Sequence, residues 1–339
     1  MTPAARLSSA IEVLAELEAR VRPAGDALKE WGLAHRFAGS GDRAAIAGLV
    51  YDALRRKASA GWIVGADTPR AILLGTLRLA RGLDVETIEK LVDGSRFAPS
   101  PLTEDERARL ASADLGGAPP HVRGDYPEWL DTHLAETFGD ERAEEGTALA
   151  ARAPLDLRVN TLKVAADKVA AAIEHLKPAP TRWSPNGLRI QYESDKQPPV
   201  TSETSFRKGW FEIQDEGSQL AALLSGAAPG MHVLDLCAGS GGKTLALAAR
   251  MENRGQIFAY DEDPRRLAPI HDRVKRAGAR NIQVRSPRGK KDVLDDLAGR
   301  MDLVLIDAPC TGTGVWRRHP DAKWRMRPGA LEIRVREQA

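Results

Sequence analysis

From residue 215 onward, short apolar runs alternate with segments of helical spacing, and this alternation constrains the fold more than any other feature. A helix EGSQLAALLSGA leads to strand HVLDL, a glycine loop and helix KTLALAARM. Strand GQIFAYD, helix DPRRLAPIHDRVKRAG, strand IQVRS and strand DLVLID follow. Strands joined through helices pair in parallel and collect their ligand at the carboxyl ends. The expected class is α/β, a Rossmann-like doubly wound sheet over residues 215–339.

The remainder divides in two. Residues 1–140 read as an all-α domain. Ala, Leu, Glu and Arg recur at three- and four-residue spacing in SAIEVLAELEARV, RAAIAGLVYDALRRKAS and PRAILLGTLRLARGL. Pro69 opens its helix and Gly82 follows the end, and Thr103 with Glu106 makes a capping box. Arg55, Arg56 and Lys57 read as a solvated face. Residues 150–214 change to PLDLRVNTLK, a helical VAADKVAAAIEHL, and strand candidates around 187–192 and 209–213. That pattern predicts a small α+β module, with KPAP and KQPP as loops.

Composition narrows the function classes. No apolar run approaches the roughly 20 residues of a membrane span, and Glu12, Glu16 and Glu18 make the N-terminus an amphipathic helix rather than a signal peptide. Two cysteines exclude a disulfide framework and an all-cysteine zinc site, so the expected setting is a reducing cytoplasm. Residues 264–339 carry 18 Lys and Arg against nine Asp and Glu, whereas the first 263 carry 31 against 38. A basic segment beside a reactive motif attracts a polyanion.

The loop HVLDLCAGSGGKT puts Asp235 at a strand end and Gly239, Gly241 and Gly242 in the turn. A phosphate-binding P-loop is one reading, since GGKT ends as that motif does. The glycine it needs five positions before Lys243 is Ala238, however, and Asp235 would repel a triphosphate. A nicotinamide dinucleotide fold needs another glycine spacing. A methyl donor, S-adenosyl-L-methionine, fits better: it has no phosphate, a cationic sulfonium and a ribose diol. Asp261 ends the second strand 22 residues past Gly239, where a carboxylate holds ribose hydroxyls. The structural alternative is that Asp261 caps the helix beginning near Pro264.

DLCAGSGGKT, AYDEDPRRL, DLVLIDAPCTGTG and WRRHPDAKW together resemble the RNA cytosine-5 methyltransferases of the bacterial Sun/RsmB group, which act on 16S rRNA. RVNTLK and FEIQDEGSQLAALL are similar to segments preceding that family's catalytic domain. The resemblance implies a NusB-like RNA-binding domain at the N-terminus and S-adenosyl-L-methionine as donor. It implies donor contacts from Cys237, Ala238, Gly239, Ser240, Gly241, Gly242, Lys243, Asp261 and Asp307. Asp307 would also meet the cytosine edge, and Cys310 would act in releasing methylated RNA. Arg317, Arg318, His319, Lys323 and Arg325 would meet the RNA backbone, ribosomal rather than transfer RNA. Trp316 and Trp324 are either stacking surfaces or core. The protein is expected to act as a monomer.

Two departures from the family pattern are visible. Pro287 and Arg288 stand where a third acidic donor contact is expected. The chain also ends at GALEIRVREQA without the later strands and Thr-Cys motif that carry the family's nucleophile. It therefore reads as truncated, inactive as written, and exposed along the DLVLID strand, with a non-catalytic RNA-binding role as the alternative.

Overall fold

The computed structural model describes residues 1–192, 197–287 and 293–339. Its contacts fall into two units, Met1–Ala153 with Cys310–Glu337, and Pro154–Pro309. The second unit contains both the small module and the parallel sheet. The segment after Pro309 packs with the N-terminal helices rather than with the sheet that precedes it.

The first unit is helical. Thr2 and Thr68 each accept the N–H three residues on, and Pro3 and Pro69 start the helices Pro3–Arg20 and Pro69–Leu79. The capping box is present: Thr103 Oγ1 accepts Glu106 N–H at 3.1 Å, and Glu106 accepts Thr103 N–H at 3.0 Å. Helix Pro3–Arg20 buries Leu7, Ala10, Val13 and Leu14, one stripe of helical period. Helix Pro69–Leu79 buries Ala71 through Leu77 without a break and is the centre of the core. It crosses helix Lys57–Val64 so closely that a Cβ on Gly75 would stand 2.2 Å from the Ala60 carbonyl oxygen. Gly75→Ala should therefore cost about 1–3 kcal/mol or more in urea unfolding, since backbone must move to admit the methyl. An unchanged midpoint would contradict that crossing.

Arg55, Arg56 and Lys57 are not a free solvated face. Arg55 donates to the Arg317 carbonyl at 2.7 Å, Arg56 approaches Asp125 at 3.4 Å, and Lys57 pairs with Glu18 at 3.2 Å.

The second unit holds two sheets. The smaller is antiparallel, from β1 (Leu155–Val159), β2 (Ala179–Pro180), β3 (Gly187–Ile190) and β4 (Phe211–Ile213), in the order β2-β3-β1-β4. Helix Ala166–Ala172 covers it through Val169. The larger is parallel: β5 (His232–Asp235), β6 (Gln256–Tyr260), β7 (Ile282–Arg285) and β8 (Leu303–Leu305), in the order β7-β6-β5-β8. All four of these strands were expected from the apolar runs. The expected helix over 263–278 divides into Pro264–Leu267 and Ile270–Ala277, because Pro269 has no N–H to continue the first turn. Among the described residues β8 pairs with β5 alone, and Val304 and Ile306 are exposed along that edge. No described helix is long and apolar enough to cross a membrane.

Candidate active site

The site begins where β5 ends at Asp235. The following loop hangs from both neighbouring strands, Leu236 N–H donating to Leu305 at 3.0 Å and Ala238 N–H to Tyr260 at 2.8 Å. Helix Gly242–Arg250 then starts, with Gly241 before it at φ +83°. A side chain on Gly241 would meet Ile270 Cγ1 at 2.5 Å, so glycine is required by both conformation and space. Arg273 steadies the loop by donating to Ser240 O and Oγ at 2.9 and 2.8 Å, and is itself paired with buried Glu212 at 2.9 Å.

Three carboxylates surround this loop. Asp235 is buried. One oxygen accepts the Thr244 hydroxyl at 2.7 Å, and Oδ1 has no partner among the described residues. Burial above all pushes its carboxyl up to about 6; the Asp307 and Asp261 charges add to the rise, whereas Thr244 and Lys243 oppose it. Asp261 accepts Gly239 N–H at 2.9 Å and Asp263 N–H at 3.0 Å, with Arg266 at 3.8 Å. It is not the helix cap, because Asp263 is: its side chain accepts Arg265 N–H at 2.8 Å. Asp307 is half exposed and bonds Lys243 Nζ at 2.6 Å. Burial, then the Asp261 and Asp235 charges, raise the Cys237 thiol, which makes it a neutral wall rather than a nucleophile.

The structure thus brings together Gly239, Ser240, Gly241, Lys243, Asp261 and Asp307 with Asp235, and places Cys237 and Ala238 in the same turn. Thr244 and Arg273 escaped the sequence reading. Thr244 follows the quoted lysine directly, but nothing local links Arg273 to Ser240. The arrangement is anionic, and its one loop lysine is already engaged by Asp307. That disposition favours a cationic ligand over a triphosphate. Pro287 follows β7, whereas Arg288 lies outside the described residues.

Cys310 is exposed and belongs to the helical unit, as do the five basic residues expected at RNA. Lys323 requires a correction. It is 1% exposed, its ammonium donates to the Arg55 carbonyl at 3.2 Å, and a phosphate has no access to it. Arg317 donates to Arg152 O at 3.2 Å and Arg325 pairs with Asp321 at 2.9 Å; Arg318 is half-buried and His319 exposed. Trp316 is core, packed with Tyr126 and Leu130. Trp324 is half-buried and donates to Leu54 O at 2.6 Å.

Residues 222–339 match the family model described as 16S rRNA methyltransferase RsmB/F, and residues 126–197 match the RsmF/B-like, ferredoxin-like domain. Ribosomal RNA small subunit methyltransferase B of Shigella sonnei is 32% identical over 261 residues, 76% of this chain and 58% of that protein. A probable ribosomal RNA small subunit methyltransferase B of Synechocystis is 31% identical over 209 residues, 61% of this chain and 46% of that protein. The chain spans about half the length of these curated relatives. The crystal structure of PH0851 aligns over 100% of this chain and 81% of its own, with a TM-score of 0.66 at 24% identity. NSun6 from Pyrococcus horikoshii with SFG aligns over 62% and 77%, with a TM-score of 0.55 at 22% identity. At those identities the two structures show a shared fold. Through its two matched domains, this chain belongs to the RsmB/F methyltransferase family.

Proposed function

We propose that the chain binds S-adenosyl-L-methionine for transfer of its methyl group to carbon 5 of cytosine in RNA, with small-subunit ribosomal RNA as substrate. The observation that carries this reading is the trio Asp235, Asp261 and Asp307 around a glycine loop whose lysine is paired. S-adenosyl-L-methionine supplies, when bound, an electrophilic methyl on a cationic sulfur. Each Asp261 oxygen spends one lone pair on a backbone N–H and keeps another for a ribose hydroxyl. Gly239 and Gly242 leave room for close approach, since no atom comes within 3.7 Å of a Cβ built on either. Lys243 fixes the Asp307 rotamer, which orients that carboxylate for the exocyclic amine of a cytosine edge. Cys310, exposed, takes the product-release role. The helical unit is the NusB-like RNA-binding domain of the proposal.

The relatives' names support ribosomal RNA as substrate, and nothing in the site favours a nucleotidase. With 16S rRNA and methyl-tritiated donor, a form of the protein that carries the Thr-Cys nucleophile should yield label as 5-methylcytidine after nuclease digestion. These 339 residues, whose two cysteines lie outside such a motif, should bind donor and transfer none. Label in any other nucleoside would contradict the reading.

A further inference from the structure

Within Pro154–Pro309, the motif RVNTLK does more than supply β1. Asn160 is buried, and its amide donates to the Gly209 and Ala277 carbonyls, both at 2.8 Å. Lys163, three residues on, donates to the Lys208 carbonyl at 2.9 Å and the Arg276 carbonyl at 2.6 Å. Two residues thus staple the approach to β4 against the end of helix Ile270–Ala277. The junction is tight enough that a Cβ on Gly209 would stand 2.0 Å from the Arg276 carbonyl oxygen.

Stapling these backbones gathers their cations. An open cleft of about 580 Å³ is lined by Lys163, Arg207, Lys208, Lys275 and Arg276, with Phe206 beside them and Asp272 as its single carboxylate. Two of the five are engaged, Lys163 by the carbonyls and Arg276 by Glu212. Arg207, Lys208 and Lys275 are exposed and carry no ion pair among the described residues. Aromatic rings lie among them: the Arg276 guanidinium stands 4.2 Å from the Phe206 ring centroid, and the Lys168 and Lys208 ammoniums 5.2 and 5.3 Å from that of Trp210. Like charges held side by side without counter-ions repel, and that repulsion is relieved when a chain of spaced negative charges lies along them. The cleft is open rather than enclosed, which suits a polymer backbone crossing it.

We propose that this cleft docks the phosphate backbone of RNA, with Arg207, Lys208 and Lys275 each meeting a phosphate. The inference rests on the RNA-methylating reading but concerns residues away from the donor loop. The test uses the full chain and a fluorescein-labelled RNA hairpin, titrated by anisotropy over a range of KCl concentrations, with donor binding followed by calorimetry. The triple variant Arg207→Ala, Lys208→Ala, Lys275→Ala should bind the hairpin about ten- to a hundredfold more weakly at physiological salt. The slope of log K against log salt should fall by about two to three, one for each lost contact. Donor affinity should stay unchanged. If the wild-type protein binds the hairpin and the variant keeps the same slope, the cleft proposal fails while the RNA reading stands. A wild-type protein that does not bind the hairpin overturns both. Equal binding of polyglutamate, lost together with RNA in the variant, would make the cleft an acidic-protein site and overturn the assignment to RNA.

Discussion

Asp125→Asn should destabilise the helical unit by about 1–3 kcal/mol at neutral pH, because asparagine keeps one acceptor oxygen where two carboxylate oxygens now accept the buried Ser59 N–H and hydroxyl. Asp125 is 0% exposed and accepts the Ser59 N–H at 3.0 Å and the Ser59 hydroxyl at 2.8 Å. Lys323 is buried with its ammonium on the Arg55 carbonyl. Burial brings Lys323 down to about 7; Asp125 opposes that fall, whereas Arg55 and Arg56 add to it. Burial raises the Asp125 carboxyl, opposed first by Lys323 and then by Ser59. A lysine whose folded value lies below its unfolded 10.5 is penalised most at low pH, and the penalty fades as pH rises above about 7. A carboxyl whose folded value is raised loses its charge early on the acid side. The coupling therefore peaks near neutrality and weakens in both directions. Urea unfolding across pH, with amide exchange over residues 313–326, reads it. An unchanged urea midpoint for Asp125→Asn at pH 7 would contradict the role given to these hydrogen bonds.

Asp235→Asn should produce the opposite trade, a more stable chain that binds the donor less well. In the folded state the Asp235 carboxyl holds its proton up to about 6, above its unfolded 3.8. Stability from this group is therefore full below about pH 4, falls between those values and stays low above 6. The shift corresponds to about 3 kcal/mol at pH 7, an upper bound on what asparagine recovers. Asparagine keeps an oxygen for the Thr244 hydroxyl, so that hydrogen bond is retained. Removing one of three carboxylates should weaken donor binding by about tenfold or more. The melting temperature should rise at pH 7 and not at pH 4. Equal gains at both would place the effect outside this ionisation.

The parallel sheet was legible because short runs such as IFAY and LVL alternate with segments of helical spacing, and the donor loop because its glycines and acids lie close in sequence. β1 was not read as a strand. Asp156 and Arg158 interrupt its apolar pattern, yet both are buried: Arg189 donates to Asp156 at 2.7 and 2.8 Å, and Arg158 Nε donates to Gln214 at 2.6 Å. Those partners lie far along the chain. The same reason defeated the reading of WRRHPDAKW. Local composition makes Lys323 look solvated, but its environment comes from Arg55 and Asp125, each about 200 residues or more away. The pairing of Lys243 with Asp307, 64 residues apart, was equally invisible, although each was singled out alone. Capping and turn chemistry is local and was read well. Long-range polar pairing was not.

The most direct test of the central claim is a calorimetric titration of the chain with S-adenosyl-L-methionine and, separately, with magnesium ATP. The anionic loop predicts saturable binding of the methyl donor, lost or much weakened in Asp261→Ala, and no binding of magnesium ATP. Binding of magnesium ATP that depends on Lys243, with no response to S-adenosyl-L-methionine, would contradict it.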